Sequence, residues 1–213
     1  MNKFKNIWFG FLLTVLISCG MPLGKMRTIP DQVNIPVKPI FKSDANELIY
    51  DMNLRFMKNY NSGILAIVRD SIIHENYRAV FLAKAGLKLF DFSFSPSSLK
   101  INYIIPQLDK KLIKDILEKD LRMLIDPLEN QHIGFYQSTK SGALIWKSKT
   151  KTDFYHAFLS KEGVIYRLDK GTDRRSHVHM ELEYDLEGFP VEVLIQHKKI
   201  PFIIRLTKLA SVN

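Results

Sequence analysis

The chain has 213 residues and a formal net charge of +9, with 46% hydrophobic and 25% charged residues. These proportions are close to the average of globular proteins and exclude a disordered, collagen-like or coiled-coil chain. The single cysteine, Cys19, excludes an intramolecular disulfide and a cysteine-based zinc or iron–sulfur site. The basic residues are scattered rather than gathered in one block, so the sequence does not predict nucleic acid as a partner.

The first twenty residues have the features of a secretory signal. Two lysines form a basic start, and an apolar run from Ile7 to Ile17 follows them. That run is too short to span a bilayer, but it has the length of the apolar region of a signal peptide. The residues Leu16 to Cys19 resemble the bacterial lipobox, in which the cysteine is lipidated and becomes the N-terminus. We therefore predict a signal peptide over residues 1–18 and lipidation of Cys19, with an uncleaved anchor as the alternative.

The residues after Cys19 predict a membrane partner and a spacer. Several acyl chains hold a protein essentially permanently on a membrane. Gly20 stands where an aspartate would signal inner-membrane retention in enterobacteria, so the periplasmic face of the outer membrane is favoured. Residues 19–44 contain four prolines and little apolar periodicity, which predicts a lipidated N-terminus followed by a flexible tether. A single domain is then predicted from residue 45 to residue 213.

The main pattern after residue 45 is an alternation of apolar and polar residues with a period of two. Such alternation is typical of half-buried antiparallel strands. The predicted strands are Tyr50–Phe56, Ile64–Val68, Tyr77–Ala83, Phe90–Phe94, Leu99–Tyr103, Ile133–Gln137, Ala143–Lys147, Phe154–Leu159, Val164–Leu168, Val178–Tyr184, Val191–Gln196 and Phe202–Lys208. Turn residues separate them at spacings near ten residues, which predicts a meander.

One segment has helical periodicity instead. Residues 109–125 place six leucine and isoleucine side chains on one stripe, with Asp109 as a predicted N-cap and Pro127 as a predicted stop. An amphipathic helix needs an apolar surface to cover. The predicted fold is therefore mainly β with one helix (α+β): a strongly curved antiparallel sheet, or half-barrel, with the helix on its concave face. The pattern leaves open whether helix and sheet enclose a ligand cavity or a filled core.

The hairpin from Tyr77 to Phe90, followed by further strands and a leucine-rich helix, resembles the LolA/LolB superfamily of lipoprotein carriers and receptors. The order of lipobox, tether, meander, helix and meander also matches. The resemblance implies a half-barrel that binds an acyl-bearing ligand, either a lipid or a lipoprotein, with a periplasmic carrier protein as partner. It implies no enzymatic activity and no cofactor.

The hairpin tip departs from the pattern of the superfamily. LolB-type proteins carry a protruding leucine immediately before the glycine of this hairpin, whereas here Ala85 precedes Gly86 and Leu87 follows it. Residues Ala85, Gly86 and Leu87 are the predicted transfer loop. Leu87 fits a projecting tip, where it would meet lipid or a partner, and it also fits the first inward position of the next strand.

Inward-facing apolar residues form the predicted ligand-binding wall, although each of them also fits an ordinary core. The predicted ligand-binding residues are Phe56, Phe81, Phe90, Phe92, Ile101, Tyr103, Leu117 and Leu121. Such aliphatic and aromatic walls suit an acyl chain. A structural or assembly lipoprotein that works through protein contacts is the corresponding alternative for a filled core.

An enzymatic function has one candidate site. His177 and His179 alternate along a predicted strand, where two imidazoles on one face, with a nearby carboxylate, are typical of zinc ligation in a metal-dependent hydrolase. A third ligand is not identifiable, and two arginines lie close by, so no metal is predicted. Lys147, Lys149 and Lys151 alternate in a second polar strip, which fits either contact with anionic headgroups or protection of a sheet edge.

Overall fold

The computed structural model describes residues 21–29, 36–41, 46–70, 72–73, 76–125 and 131–209. The predicted signal peptide and Cys19 lie outside the described residues. The described elements are β1 (Met21–Pro22), β2 (Met26–Thr28), β3 (Glu47–Phe56), β4 (Asn59–Arg69), β5 (Tyr77–Ala83), β6 (Lys88–Phe94), β7 (Leu99–Ile104), α1 (Lys111–Ile125), β8 (Gln131–Ser138), β9 (Leu144–Lys149), β10 (Phe154–Leu159), β11 (Ile165–Gly171), β12 (Arg175–Tyr184), β13 (Pro190–His197) and β14 (Phe202–Lys208).

The strands form one large open antiparallel sheet. Strands β3 to β7 are one meander, strands β8 to β14 are a second, and the pairing of β14 with β3 joins them. The order across the sheet is β2-β8-β9-β10-β11-β12-β13-β14-β3-β4-β5-β6-β7, and β1 pairs with β12 off this path. The prediction of a mainly antiparallel β fold with one helix is confirmed, and each of the twelve predicted strands is present.

Helix α1 covers one face of the sheet, which we call the helix face. Its buried side chains, including Leu117 and Leu121, belong to the same core cluster as Met52, Phe92 and Met180 of the strands. The carboxylate of Asp120 is 2.8 Å from His197 Nε2 in β13, and Arg122 lies over the ring of Phe94 in β6. Because four strands separate β6 from β13, one turn of the helix reaches across much of this face.

The core of the helix face is aromatic. Phe90 stacks on Phe92 with ring centroids 4.7 Å apart, Phe81 is tilted against Phe90 at 5.5 Å, and Phe94 meets Phe92 at 6.3 Å. The side chains of Phe81, Phe90 and Phe92 are fully buried. Burial of each such ring contributes about 1.5–3 kcal/mol, and the ring pairs add about 0.5–1.5 kcal/mol each. These rings and the buried side chains of α1 form one core cluster, which stabilises the packing of the β5–β6 hairpin against the helix.

Parts of the described N-terminal stretch pair with the sheet or pack against it. Met21 and Pro22 pair with β12, and Met26 to Thr28 pair with β8. Leu23 packs against Ile145 and Phe158, while Ile40 and Phe41 are buried in the main core. Burial of Leu23, Ile40 and Phe41 stabilises these contacts between the N-terminal stretch and the sheet.

A β-bulge corrects the predicted inward direction of Tyr103. The register between β6 and β7 shifts between Asp91 and Phe92, so that Tyr103 pairs with Asp91 and Ile101 pairs with Phe92. A bulge inserts an extra residue into one strand and thereby turns the following side chain to the other face. Tyr103 consequently lies on the face opposite Phe92 and is 45% exposed.

Strand β9 is not a sheet edge, since it pairs with both β8 and β10. The edge-protection interpretation of Lys147, Lys149 and Lys151 is therefore wrong for this strand. Lys147 forms an ion pair with Asp173 and lies over the rings of Tyr136 and Phe154.

Helix α1 spans fifteen residues with polar and charged side chains on one side. No helix in the described ranges has the length and apolar character of a membrane-spanning segment.

Candidate functional site

The β5–β6 hairpin projects an exposed leucine. Gly86 has a φ of +81°, the left-handed region that glycine favours, and its amide donates to the carbonyl of Ala83 at 2.8 Å. The Ala83 amide donates in turn to the carbonyl of Leu87 at 2.8 Å, which closes the turn. Leu87 is 68% exposed, and Ala85 is also exposed. The inward interpretation of Leu87 is therefore wrong, because its side chain is exposed in the turn before β6.

A cleft of about 490 Å³ opens beside Leu87. Its floor contains Phe56, Leu89 and Leu108, which belong to the main core or pack against it. Tyr60, which is 64% exposed, is another lining side chain. The volume is within the range of ligand pockets, and the lining combines apolar floor residues with polar groups at the margin, as such pockets do.

The structure divides the predicted ligand-binding residues into three groups. Phe56 and Tyr103 line the cleft together with Leu87 of the predicted transfer loop. Ile101 is 38% exposed, because it lies on the edge strand β7. The remaining residues, Phe81, Phe90, Phe92, Leu117 and Leu121, are buried side chains of the packed core.

Several cleft residues were not predicted from the sequence. Tyr60, Leu89, Ile105 and Leu108 line the cleft beside the predicted residues. Ile105 and Leu108 fall in the irregular segment between β7 and α1, where no periodic pattern marks a side chain as facing a site. Their position depends on how that segment packs beside β6, where the Ile105 amide donates to the carbonyl of Leu89 at 3.0 Å.

A row of buried polar groups lies on the helix face away from the cleft. Lys170 pairs across strands with Tyr155 and is only 6% exposed, while Asp120 of α1 is 1% exposed and bonded to His197. Burial lowers the pKa of Lys170 and raises the pKa of Asp120. Burial also raises the pKa of Tyr155 to about 12. These shifts favour the uncharged forms, which limits the cost of holding the groups beneath the helix.

The opposite face, which we call the outer face, holds the candidate metal ligand His179. Its Nδ1 lies 2.5 Å from Asp169 Oδ1, and its Nε2 lies 2.8 Å from Glu181 Oε1. The hydrogen bond to Asp169 raises the pKa of His179, although burial opposes it. Burial lowers the pKa of His177. Within the described ranges, no group of three or more His, Cys, Asp or Glu residues is arranged to hold a metal ion. Both ring nitrogens of His179 are hydrogen-bonded to carboxylates.

Comparison with known proteins gives distant structural similarities, including the two below. No protein-family model and no curated protein matches the chain. A DUF1329 family protein from Desulfovibrio piger is 9% identical, with a TM-score of 0.40 over 78% of this chain and 85% of that one. An outer membrane lipoprotein-sorting protein domain from Vibrio parahaemolyticus is 7% identical, with a TM-score of 0.43 over 78% of this chain and 84% of that one. Similarity at this level does not identify a ligand or an activity.

Proposed function

We propose that this protein is a lipid-anchored, non-enzymatic carrier or receptor of the bacterial envelope that binds an acyl-bearing molecule without a cofactor. The ligand is a lipid or a lipoprotein, and its acyl chain enters the cleft beside the β5–β6 hairpin. In this proposal the sheet acts as the half-barrel of the LolA/LolB superfamily, anchorage is at the outer membrane, and a periplasmic carrier protein delivers the ligand.

The observation that carries the proposal is the position of the cleft. It lies between an exposed leucine at a hairpin tip and floor residues that are continuous with the apolar core. An acyl chain that leaves a membrane would pass from Leu87 to Phe56 and Leu89, and the one charged side chain among the described lining residues, Lys88, is paired with Asp91. A chain held in the cleft instead of water gains about 0.8 kcal/mol for each buried methylene, which is comparable to the gain in a bilayer, so an apolar cleft allows the chain to leave the membrane without exposure to water.

The ligand site is tested by Leu87→Glu in the full chain, with binding of a fluorescent 16-carbon fatty acid as the readout. We expect at least a tenfold loss of affinity, because a carboxylate at the entrance must be desolvated next to the chain. The free energy of unfolding should change by no more than about 0.5 kcal/mol, since Leu87 is exposed.

Leu186→Glu is the matched control for this variant. Leu186 is a fully exposed leucine in the β12–β13 turn, far from the cleft lining. It should leave both affinity and stability unchanged. Equal affinity in Leu87→Glu and wild type, or absence of fatty-acid binding by the wild type, would contradict the proposed ligand site.

The anchor is tested by Cys19→Ala, which removes the sulfur that carries the proposed acyl groups. We expect the variant to accumulate as unprocessed precursor or to be released from the membrane fraction, because a domain with no acyl chain loses the favourable burial of methylenes in the bilayer. Fractionation and gel mobility measure both effects. A variant that fractionates and migrates as the wild type does would show that Cys19 is not the anchor.

A further inference from the structure

The turns at the two ends of the sheet differ in charge. In antiparallel meanders alternate turns lie at the same end, so the turns 57–58, 84–87, 150–153, 172–174 and 198–201 share one end. The Met57 amide bonds to the carbonyl of Pro201 at 2.9 Å, and the Lys84 amide bonds to the carbonyl of Ser62, which places these turns side by side. We call the lysines of this end the basic rim: Lys58, Lys84, Lys149, Lys151, Lys198 and Lys199.

The acidic residues of the same end do not neutralise the basic rim. Asp153 is 3.9 Å from Lys170, and Asp173 forms its ion pair with Lys147. Both acids are therefore paired with lysines that lie outside the rim. Five of the six rim lysines are exposed, and Lys198 is half-buried. The field at this end is consequently positive.

The described turns at the opposite end lack a comparable group of lysines. Their lysines are Lys140 and Lys161, and their acidic residues are Asp70, Glu162, Asp185 and Glu187, of which Asp185 is paired with Lys208 at the end of β14. The molecule is thus polarised along the strands. A polarised molecule near a charged surface has one preferred orientation.

Exposed apolar side chains project among the rim lysines. Met57 has a φ of +54°, which is uncommon for a residue other than glycine, and is 56% exposed at the β3–β4 turn. Leu87 is exposed at the next turn along the sheet. The described chain also begins at this end, since Met21 pairs with Ser176 near the start of β12, two residues after Cys19 in the sequence.

We propose that the basic rim docks the domain on a bilayer that contains anionic lipids, with Met57 and Leu87 entering the headgroup layer. This inference rests on the proposed function and deepens it, because it sets the mouth of the cleft against the membrane. The rim lysines attract anionic headgroups. Met57 and Leu87 gain apolar contacts in a bilayer that an acidic protein surface or a nucleic acid does not offer.

The test measures flotation of the mature chain without its lipidated cysteine, residues 20–213, with vesicles of phosphatidylcholine alone or with 30 mol% phosphatidylglycerol. Omitting the apolar signal segment and Cys19 removes both other membrane anchors from the comparison. Each lysine near an anionic surface contributes about fivefold to partitioning, so K198Q/K199Q should weaken binding to the anionic vesicles by about 25-fold. Neither lysine lines the cleft, so fatty-acid affinity should stay unchanged.

The matched control is K140Q/K161Q at the opposite end, which removes the same charge and should change vesicle binding less than twofold. Raising the salt to 1 M shortens the screening length to about 3 Å and should abolish the preference for anionic vesicles. Equal loss in the two double variants, or equal binding of the wild type to both kinds of vesicle, would overturn the docking proposal. A wild-type protein that docks on anionic vesicles but does not bind the fatty acid would overturn the ligand site alone.

Discussion

Phe92→Ala should lower the free energy of unfolding by about 3–5 kcal/mol. Phe92 is fully buried, stacked on Phe90 and in edge contact with Phe94. Truncation removes its transfer free energy and leaves a void that neighbouring rings cannot fill without leaving their own contacts. Urea denaturation followed by tryptophan fluorescence and circular dichroism gives the measurement.

Tyr103→Ala is the control, because Tyr103 was predicted from the sequence for the same wall and is 45% exposed in the structure. Its cost should be about 1 kcal/mol or less. A cost below about 1 kcal/mol for Phe92→Ala would mean that the ring faces an open cavity rather than a packed core. The pair of variants therefore decides between a filled and a hollow helix face at this position.

The strands and the helix were predictable because their patterns are local. The alternation in residues 178–184 marks one face as apolar whatever the strand pairs with, and β12 covers this segment in the structure. Helix α1 begins at Lys111, two residues after the predicted N-cap Asp109, and its described part reaches Ile125, the last residue of the predicted helix. Periodicity reports burial by one face, which is a property of consecutive residues.

The pairing of distant strands and the content of the site were not predictable in the same way. Nothing in residues 50–56 indicates that β3 pairs with β14, about 150 residues later. The bulge that turns Tyr103 outward depends on its partner strand. Burial of Lys170 and Asp120 depends on where α1 lies, and charged residues are normally assigned to the surface. Each of these features is decided by tertiary contacts.

His156 gives the second large expected effect, a loss of stability in acid. It is fully buried in β10 on the outer face, between its cross-strand neighbours Lys147 and Asp169. Within the described part of the chain neither of its ring nitrogens has a hydrogen-bond partner. Burial, assisted by the charge of Lys147, lowers the pKa of His156 from 6.5 to about 4, against the opposing charges of Asp169 and Asp173.

The sign follows from the protons bound in each state. Between pH 6.5 and pH 4 the unfolded chain protonates His156 and the folded chain does not, so the free energy of unfolding falls as the pH falls. At 1.36 kcal/mol for each pKa unit, the loss from pH 7 to pH 4 is about 3 kcal/mol. His179 has the opposite sign, because its raised pKa gives stability that is lost as the pH rises.

His156→Leu isolates this effect, since it removes the titrating group and fills a similar volume with apolar atoms. The difference in unfolding free energy between pH 7 and pH 4 should shrink by about 3 kcal/mol relative to the wild type, while stability at pH 7 stays the same or rises. His132→Gln, which removes an exposed imidazole, should leave the difference as in the wild type. If His156→Leu and wild type lose equal stability in acid, protonation of His156 is not the cause of the acid destabilisation.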